Sequence, residues 1–356
     1  MQTITSRAVR WQAICYKVAN RWRHWGSPQV RQVRDNGRSG FYPSVWEEAA
    51  AAVGAAITFP DEYFAEIHCP GTVLRVRNHL TSLDDLVTQA IAGNKPLVNR
   101  LLSQRGLPVP RFQACRFDDV RAGWAFVAAL GRPCVVKPAR GTGGGTGITT
   151  RVSSRRSLMS AMARAGGYCH DVIIEEQVPG DNFRLLYLDG ELLDALERRP
   201  PTLCGDGHSS VEQLIEAENE RRLQRGADIA HSPFTIDREL RRTLREAGRQ
   251  MSSIPDSGEL VRLRAVVNQN AQSNASANDR VCSALVESGA QAAAAVGVRL
   301  AGVDVITADP SVPLSEAGGA IIEVNTTPGL HYHYMVVGEP TPVALLILQR
   351  LCKTAP

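Results

Sequence analysis

Five glycines, Gly141, Gly143, Gly144, Gly145 and Gly147, fall within seven positions between two short apolar runs, residues 133–136 and 148–152. A stretch this rich in glycine cannot sustain a helix or a side-chain-packed strand, so the chain must turn here between two strands. Lys137 and Pro138 close the first run. Where Cβ atoms are missing, backbone N–H groups can converge on an anion, and a lysine at the strand end adds to the field. The spacing matches neither GxxxxGK[ST] nor GxGxxG ahead of a helix, which excludes a Walker loop and a dinucleotide fingerprint. It predicts a lid over nucleotide phosphates, with a ligand-free hairpin turn as the alternative.

Lysine usage sharpens that expectation. Only Lys17, Lys95, Lys137 and Lys353 are lysines among 40 basic residues, leaving 36 arginines. A compact ammonium on a long stem suits contact with a phosphate from outside a loop. Lys95 stands at the start of a predicted helix over 96–104 that closes with Gly106 and Pro108.

The remaining chain divides into three blocks: a small α/β unit over 1–91, a block over 92–190 with the glycine loop, and a block over 191–356. Helices are predicted over 118–130, 153–165, 210–225, 237–251, 281–296 and 343–352, and strands over 135–137, 148–152 and 171–178. Asp189-Gly190 between 185–188 and 191–196 signals a hairpin. The asparagine-rich stretch 268–279 lacks periodicity and reads as a loop. Mixed elements place the chain in the α/β (α+β) class.

Composition narrows the partners. The longest apolar stretches, 49–59 and 343–348, are far below the roughly 18 residues of a membrane span. A net charge of +4 over 356 residues gives no ground for nucleic-acid binding. The first acidic residue is Asp35, however, so the amino terminus is locally basic. There Trp11, Ile14, Val18, Trp22 and Trp25 recur at steps of three and four. This stripe predicts an amphipathic helix docked on the protein through that face, or one serving a membrane surface or a partner. The eight cysteines form no CxxC pair and read as free thiols, which with the lack of a secretory signal predicts a cytoplasmic protein.

Two apolar runs near the carboxyl terminus carry acids. Asp304 lies within 302–307, and Glu323 and Asn325 alternate along 320–325, which puts the latter two on one strand face. Oxygen donors among apolar neighbours need a compensating partner, and Mg²⁺ carrying substrate phosphates suits them.

In order, Lys95, Val135-Val136-Lys137-Pro138 with its glycine loop, Ile174-Glu175-Glu176, Asp304 and Glu323-Val324-Asn325-Thr326-Thr327-Pro328-Gly329 resemble the ATP-grasp ligases. The similarity is greatest to the ATP-grasp part of cyanophycin synthetases and runs from about 92 to 335. Supporting it are Val178-Pro179-Gly180-Asp181, Arg184-Leu185-Leu186 and Gly205-Asp206-Gly207-His208-Ser209-Ser210. The resemblance implies an ATP-grasp fold, two α+β subdomains clamping ATP behind a pre-grasp domain, without the murein-ligase-like domain of those synthetases.

The activity so implied is an ADP-forming carboxylate–amine ligase that makes an amide through an acylphosphate, acting on an amino acid or short peptide. A ligase modifying a peptide or protein, and a catalytically silent nucleotide-binding regulator, are the alternatives. By position, Lys95, Lys137, Gly143, Gly144 and Gly145 would meet ATP phosphates. Glu175, Glu176 and Val178 would lie on the adenine side, Asp181 or Asn182 at the ribose, and Arg184 at a phosphate or a substrate carboxylate. Asp304, Glu323 and Asn325 would hold Mg²⁺, or Mn²⁺ in its place. Arg198 and Arg264, with Asn325, would be catalytic, one arginine stabilising an oxyanion. Partners would be small-molecule carboxylates and amines, with a homodimer as in many relatives. The chain departs from the resemblance at Asn270-Ala271-Gln272-Ser273, where a Ser-Thr-Gly-Gly stretch is expected. The polymer substrate therefore does not transfer. His331, Tyr332, His333 and Tyr334 line an acceptor site or bond locally.

Overall fold

The computed structural model describes residues 2–25, 28–143, 145–224, 233–265, 267 and 274–353. In chain order, helices α1 (Gln2–Trp25) and α2 (Pro28–Val53) precede strands β1 (Ala56–Thr58), β2 (Phe64–Cys69), β3 (Thr72–Arg77) and β4 (Leu80–Thr81). Next come α3 (Leu86–Ala92), α4 (Lys95–Gln104), β5 (Phe112–Arg116), α5 (Val120–Leu130), β6 (Cys134–Pro138) and β7 (Thr149–Val152). The middle of the chain holds α6 (Arg155–Gly166), β8 (Asp171–Glu176), β9 (Asp181–Leu188), β10 (Glu191–Arg198) and β11 (Thr202–Cys204). It continues through α7 (Val211–Gln224), α8 (Arg238–Glu246), β12 (Leu260–Arg262), β13 (Ala275–Ser276) and α9 (Ser283–Val296). The last elements are β14 (Leu300–Thr307), α10 (Leu314–Ala317), β15 (Ala320–Asn325), α11 (His331–Tyr334) and α12 (Val343–Lys353). Helix and sheet are mixed throughout, as the α+β class requires.

Two compact units are each assembled from three separated stretches: residues 1–27, 84–195 and 278–326, and residues 28–83, 196–277 and 327–356.

In the first unit one sheet runs β5-β8-β6-β7, with every recorded pairing antiparallel. Helices α5 and α6 cover it, and Val136, Ile174, Leu158 and Met162 are fully buried between them. Asp119 caps α5 and Ser154 caps α6 with a capping box, so both helices start where a side-chain oxygen can take up free N–H groups. A second sheet runs β9-β14-β15, with β10 joined to β9 through Asp189-Gly190. Both turn residues have positive φ, 49° and 84°, the backbone a two-residue hairpin turn demands.

The first unit also carries α1, against α6. The docked face is Val9, Ala13 and Tyr16. Trp11 and Ile14, which the periodicity assigns to the docked face, are exposed. The helix has apolar residues on both sides, and Val9, Ala13 and Tyr16 are the ones that pack in this core. The side chains of Val18, Trp22 and Trp25 lie outside the described residues.

In the second unit, the sheet β1-β2-β3-β4 packs its Ala65, Ile67, Leu74 and Val76 inward. Helix α2 supplies buried Tyr42 and Trp46, and α12 lies against α2 and β2. A separate core gathers Val211, Ile215, Leu240, Leu244 and Val261 from α7, α8 and β12.

Two expectations are corrected. The stretch 268–279 is not simply a loop: 268–273 lie outside the described residues, and Ala275 and Ser276 form β13 on the edge of β10. Two of its asparagines bond to neighbouring groups: Asn274 Oδ1 accepts from the Arg199 N–H, and Asn278 joins the Ala195 N–H to Asp194. The cysteines are not all free either. Cys69, ending β2, and Cys352, in the last turn of α12, form a disulfide with Cα atoms 4.9 Å apart, inside the range such a bond spans.

That bond closes a loop across 283 positions, so Cys352→Ser should lower stability by about 2–4 kcal/mol, chiefly by freeing the unfolded chain. Urea unfolding without reductant measures it. Coincident midpoints for the variant and the parent would show that the bond does not form in solution.

Candidate active site

Helix α4 begins at Lys95, with Asn94 capping it and Pro96 at the first turn. The Lys95 N–H donates to Ala139 O at 3.0 Å, which ties the helix to the base of the glycine loop. Its side chain is buried and divides its interactions: Nζ donates to Thr142 O at 3.2 Å and stands 3.4 Å from Glu323 Oε1. Lys95 thus links the loop to β15.

Within the loop, Gly141, Gly145 and Gly147 have φ of 71°, 75° and 79°, a conformation other residues rarely adopt. Among the described residues other than its chain neighbours, none has an atom within 4 Å of a Cβ built on Gly143, which leaves room there for a ligand. Gly144 lies outside the described residues.

Lys137 is on β6 and Glu175 on the neighbouring β8, two positions from the residue that the register sets opposite Lys137, Ile173. The two side chains are each only 4 % exposed, and Nζ meets Oε2 at 2.7 Å. The other oxygen, Oε1, accepts from Asn99 Nδ2 at 3.0 Å. A buried carboxylate with one oxygen on an ammonium and the other on an amide is well compensated. Asn99 was not foreseen from the sequence. The available signal is its spacing: four residues after Lys95, it shares that lysine's face of α4.

A third group crosses the second sheet. Register places Arg184 of β9 beside Asp304 of β14, and Asp304 beside Glu323 of β15. Arg184 grips Asp304 with both arms, Nε to Oδ1 and Nη2 to Oδ2, the latter at 2.7 Å. Asn325 Nδ2 donates to Asp304 Oδ2 and to Gly302 O, both at 3.2 Å. Asp304, Glu323 and Asn325 therefore gather on two adjacent strands. No cluster of three or more His, Cys, Asp and Glu with metal-holding geometry occurs among the described residues. The available donors are two carboxylates and an amide, hard oxygens that fit Mg²⁺ with its retained waters and phosphate ligands better than a softer metal.

Other expected positions are occupied differently. Glu176 is held by Arg111 at 2.8 Å and Arg132 at 2.7 Å, and the Arg111 guanidinium keeps its carboxyl below the usual range. Asp181 is exposed, and Asn182 and Asp181 pair with Ile306 and Thr307 of β14. Val178 is partly buried just after β8. Burial pushes the Cys134 thiol up to about 11 and the Cys115 thiol to about 12, so neither is a ready nucleophile.

Arg198 and Arg264 belong to the second unit. The Arg198 guanidinium lies 4.8 Å from the centre of the Tyr332 ring, a cation–π contact. Arg264 is buried, with Nη1 3.3 Å from Asp237 and 3.4 Å from Glu239, and Nη2 donating to Thr235 O at 3.0 Å. Its Nε is buried without a hydrogen-bond partner among the described residues. Beside Tyr332, His331 Nδ1 meets the hydroxyl of Tyr42, 289 positions away, at 2.9 Å, and the Tyr334 hydroxyl accepts from the Ala344 N–H at 3.0 Å.

Comparison with known proteins bears on the fold and on what the chain is similar to. The family model described as the D-ala D-ala ligase C-terminus matches residues 101–206. Cyanophycin synthetase of a Nostoc species is 31% identical over 281 residues, 78% of this chain and 31% of that protein. The bifunctional glutathione biosynthesis protein of Enterococcus faecalis is 28% identical over 301 residues, 82% of this chain and 39% of that protein. The chain thus spans about a third of the length of these curated relatives. A bifunctional glutathione synthetase from Pasteurella multocida superposes with a TM-score of 0.57 at 24% identity, covering 86% of this chain and 44% of that one. The fold is thus that of the ATP-grasp ligases, and over most of its length the chain is similar in sequence to the cyanophycin synthetases.

Proposed function

We propose that the protein is an ATP- and Mg²⁺-dependent carboxylate–amine ligase joining an amino acid or short peptide to an amine. The observation that carries this reading is the charge arrangement of the first unit: two buried lysines beside an open glycine loop, and two carboxylates with an amide on neighbouring strands. That is what phosphoryl transfer asks of a protein, positioning and charge neutralisation with little covalent chemistry. The sequence blocks 92–190 and 191–356 are proposed as the family's two subdomains and 1–91 as the domain before them.

In this reading Lys95 and Lys137 present their ammonium groups to ATP phosphates, and the N–H groups of Gly143 and Gly145 add to the cradle. Glu175 and Asn99 fix Lys137, so Glu175 serves ATP through that lysine. Glu176, Val178, Asp181 and Asn182 line the nucleoside side. Asp304, Glu323 and Asn325 hold Mg²⁺, which when bound neutralises phosphate charge. Arg184 keeps both Asp304 oxygens oriented. The acid's carboxylate oxygen bonds to the γ-phosphorus as the bond to ADP breaks. The amine then displaces phosphate from the acyl carbon and loses a proton. Arg198 and Arg264 are proposed from the resemblance alone, one for the oxyanion of that second step and the other for a substrate carboxylate.

The test is ADP release from ATP and Mg²⁺ with pooled amino acids and dipeptides, with and without hydroxylamine. The expected result is ADP together with a hydroxamate from one pool, which names the acid. Nucleotide binding with no ADP from any pool would refute the small-substrate reading and favour a protein substrate or a silent regulator.

A further inference from the structure

Helix α1 docks through one face and leaves Trp11 and Ile14 exposed on the other. Val9 and Ala13 are buried, whereas Trp11 and Ile14 are 69% and 50% exposed. At about 100° per residue, Trp11 and Ile14 stand on the side of the helix away from Val9 and Ala13. Arg7 and Lys17 are exposed as well, and α1 contains no acidic residue, the first in the chain being Asp35.

Two properties of this face select its partner. A second copy would bring the same cations together in a two-fold contact with no carboxylate on the helix to offset them. An anionic partner gains from those cations. Tryptophan, with an apolar ring and one N–H, is favoured where apolar and wet surroundings meet, and a basic helix with such exposed residues lies well in the headgroup layer of anionic lipid. We propose that the outward face of α1 docks the protein on an anionic lipid bilayer, lying in the interface plane. No helix among the described residues is long and apolar enough to cross one. The proposal is independent of the ligase reading, since none of these residues belongs to the candidate active site.

The test is co-sedimentation of the full chain with phosphatidylcholine vesicles, with and without one quarter phosphatidylglycerol. Binding to the anionic vesicles should exceed binding to neutral ones by roughly tenfold or more, and should fall as salt shortens the Debye length below about 10 Å. The double variant Trp11→Ala/Ile14→Ala should lose at least about tenfold of that partitioning, and Arg7→Glu/Lys17→Glu a similar factor. Both variants change exposed side chains, so unchanged circular dichroism and ATP turnover without vesicles are expected. Three results would overturn the proposal: no binding to anionic vesicles, binding indifferent to Trp11→Ala/Ile14→Ala, or a dimer in solution that this variant dissociates. The last would assign the face to a second copy.

Discussion

Removing the Lys137–Glu175 pair as Lys137→Met/Glu175→Gln should lower ADP-forming turnover by about 10²–10³-fold while the protein stays folded, the scale seen when one charged or hydrogen-bonding donor to a reacting oxyanion is lost. The double change is needed because Lys137→Met alone strands a carboxylate that is 4 % exposed, a penalty of about 3–5 kcal/mol that would confuse folding with catalysis. In the double variant the glutamine amide can still accept from Asn99. Steady-state kinetics with the substrate that the hydroxylamine assay selects, beside a thermal melt, separate the two effects. Near-parental turnover in a well-folded double variant would remove Lys137 from the phosphate site.

The second large effect is expected at Asp304. Substitution by alanine takes away a proposed Mg²⁺ ligand and leaves Arg184, 7% exposed, without its bidentate partner. Stability should fall by about 3–5 kcal/mol, and turnover should be lost. Asp304→Ala/Arg184→Met should regain most of the stability, since no buried charge is then stranded, but none of the turnover. Recovery of activity in that double variant would show that Asp304 serves only to neutralise Arg184. Comparing thermal midpoints with ADP release across the three proteins makes the distinction.

These expectations rest on parts of the site that were differently visible in the sequence. Lys137, Asp304, Glu323 and Asn325 stand out because charged or amide side chains interrupt apolar strands, and the register of β9, β14 and β15 then brings Asp304 beside Arg184 and Glu323. Lys95 stands out through the scarcity of lysine and the cap of α4. Asn99 does not, because an asparagine inside an amphipathic helix resembles a solvated position until β8 supplies Glu175. The docked face of α1 was also illegible: periodicity locates stripes on a helix, but which stripe packs depends on the shape of α6 opposite. The Cys69–Cys352 bond joins residues 283 positions apart, a separation at which spacing carries no information on proximity.

The sequence by itself determined most of the helices, the class and the resemblance to the ATP-grasp ligases, because apolar periodicity, caps and turn residues act over a few neighbouring positions and the ordered motifs are specific as a set. The tertiary structure decided the pairing of charges: that Glu175 serves Lys137, that Arg184 restrains Asp304, and that Lys95 reaches Glu323. The physical reason is that a buried charge is stable only beside its compensating partner. Which residue that is depends on strand register and helix docking, and these form only when distant parts of the chain pack together.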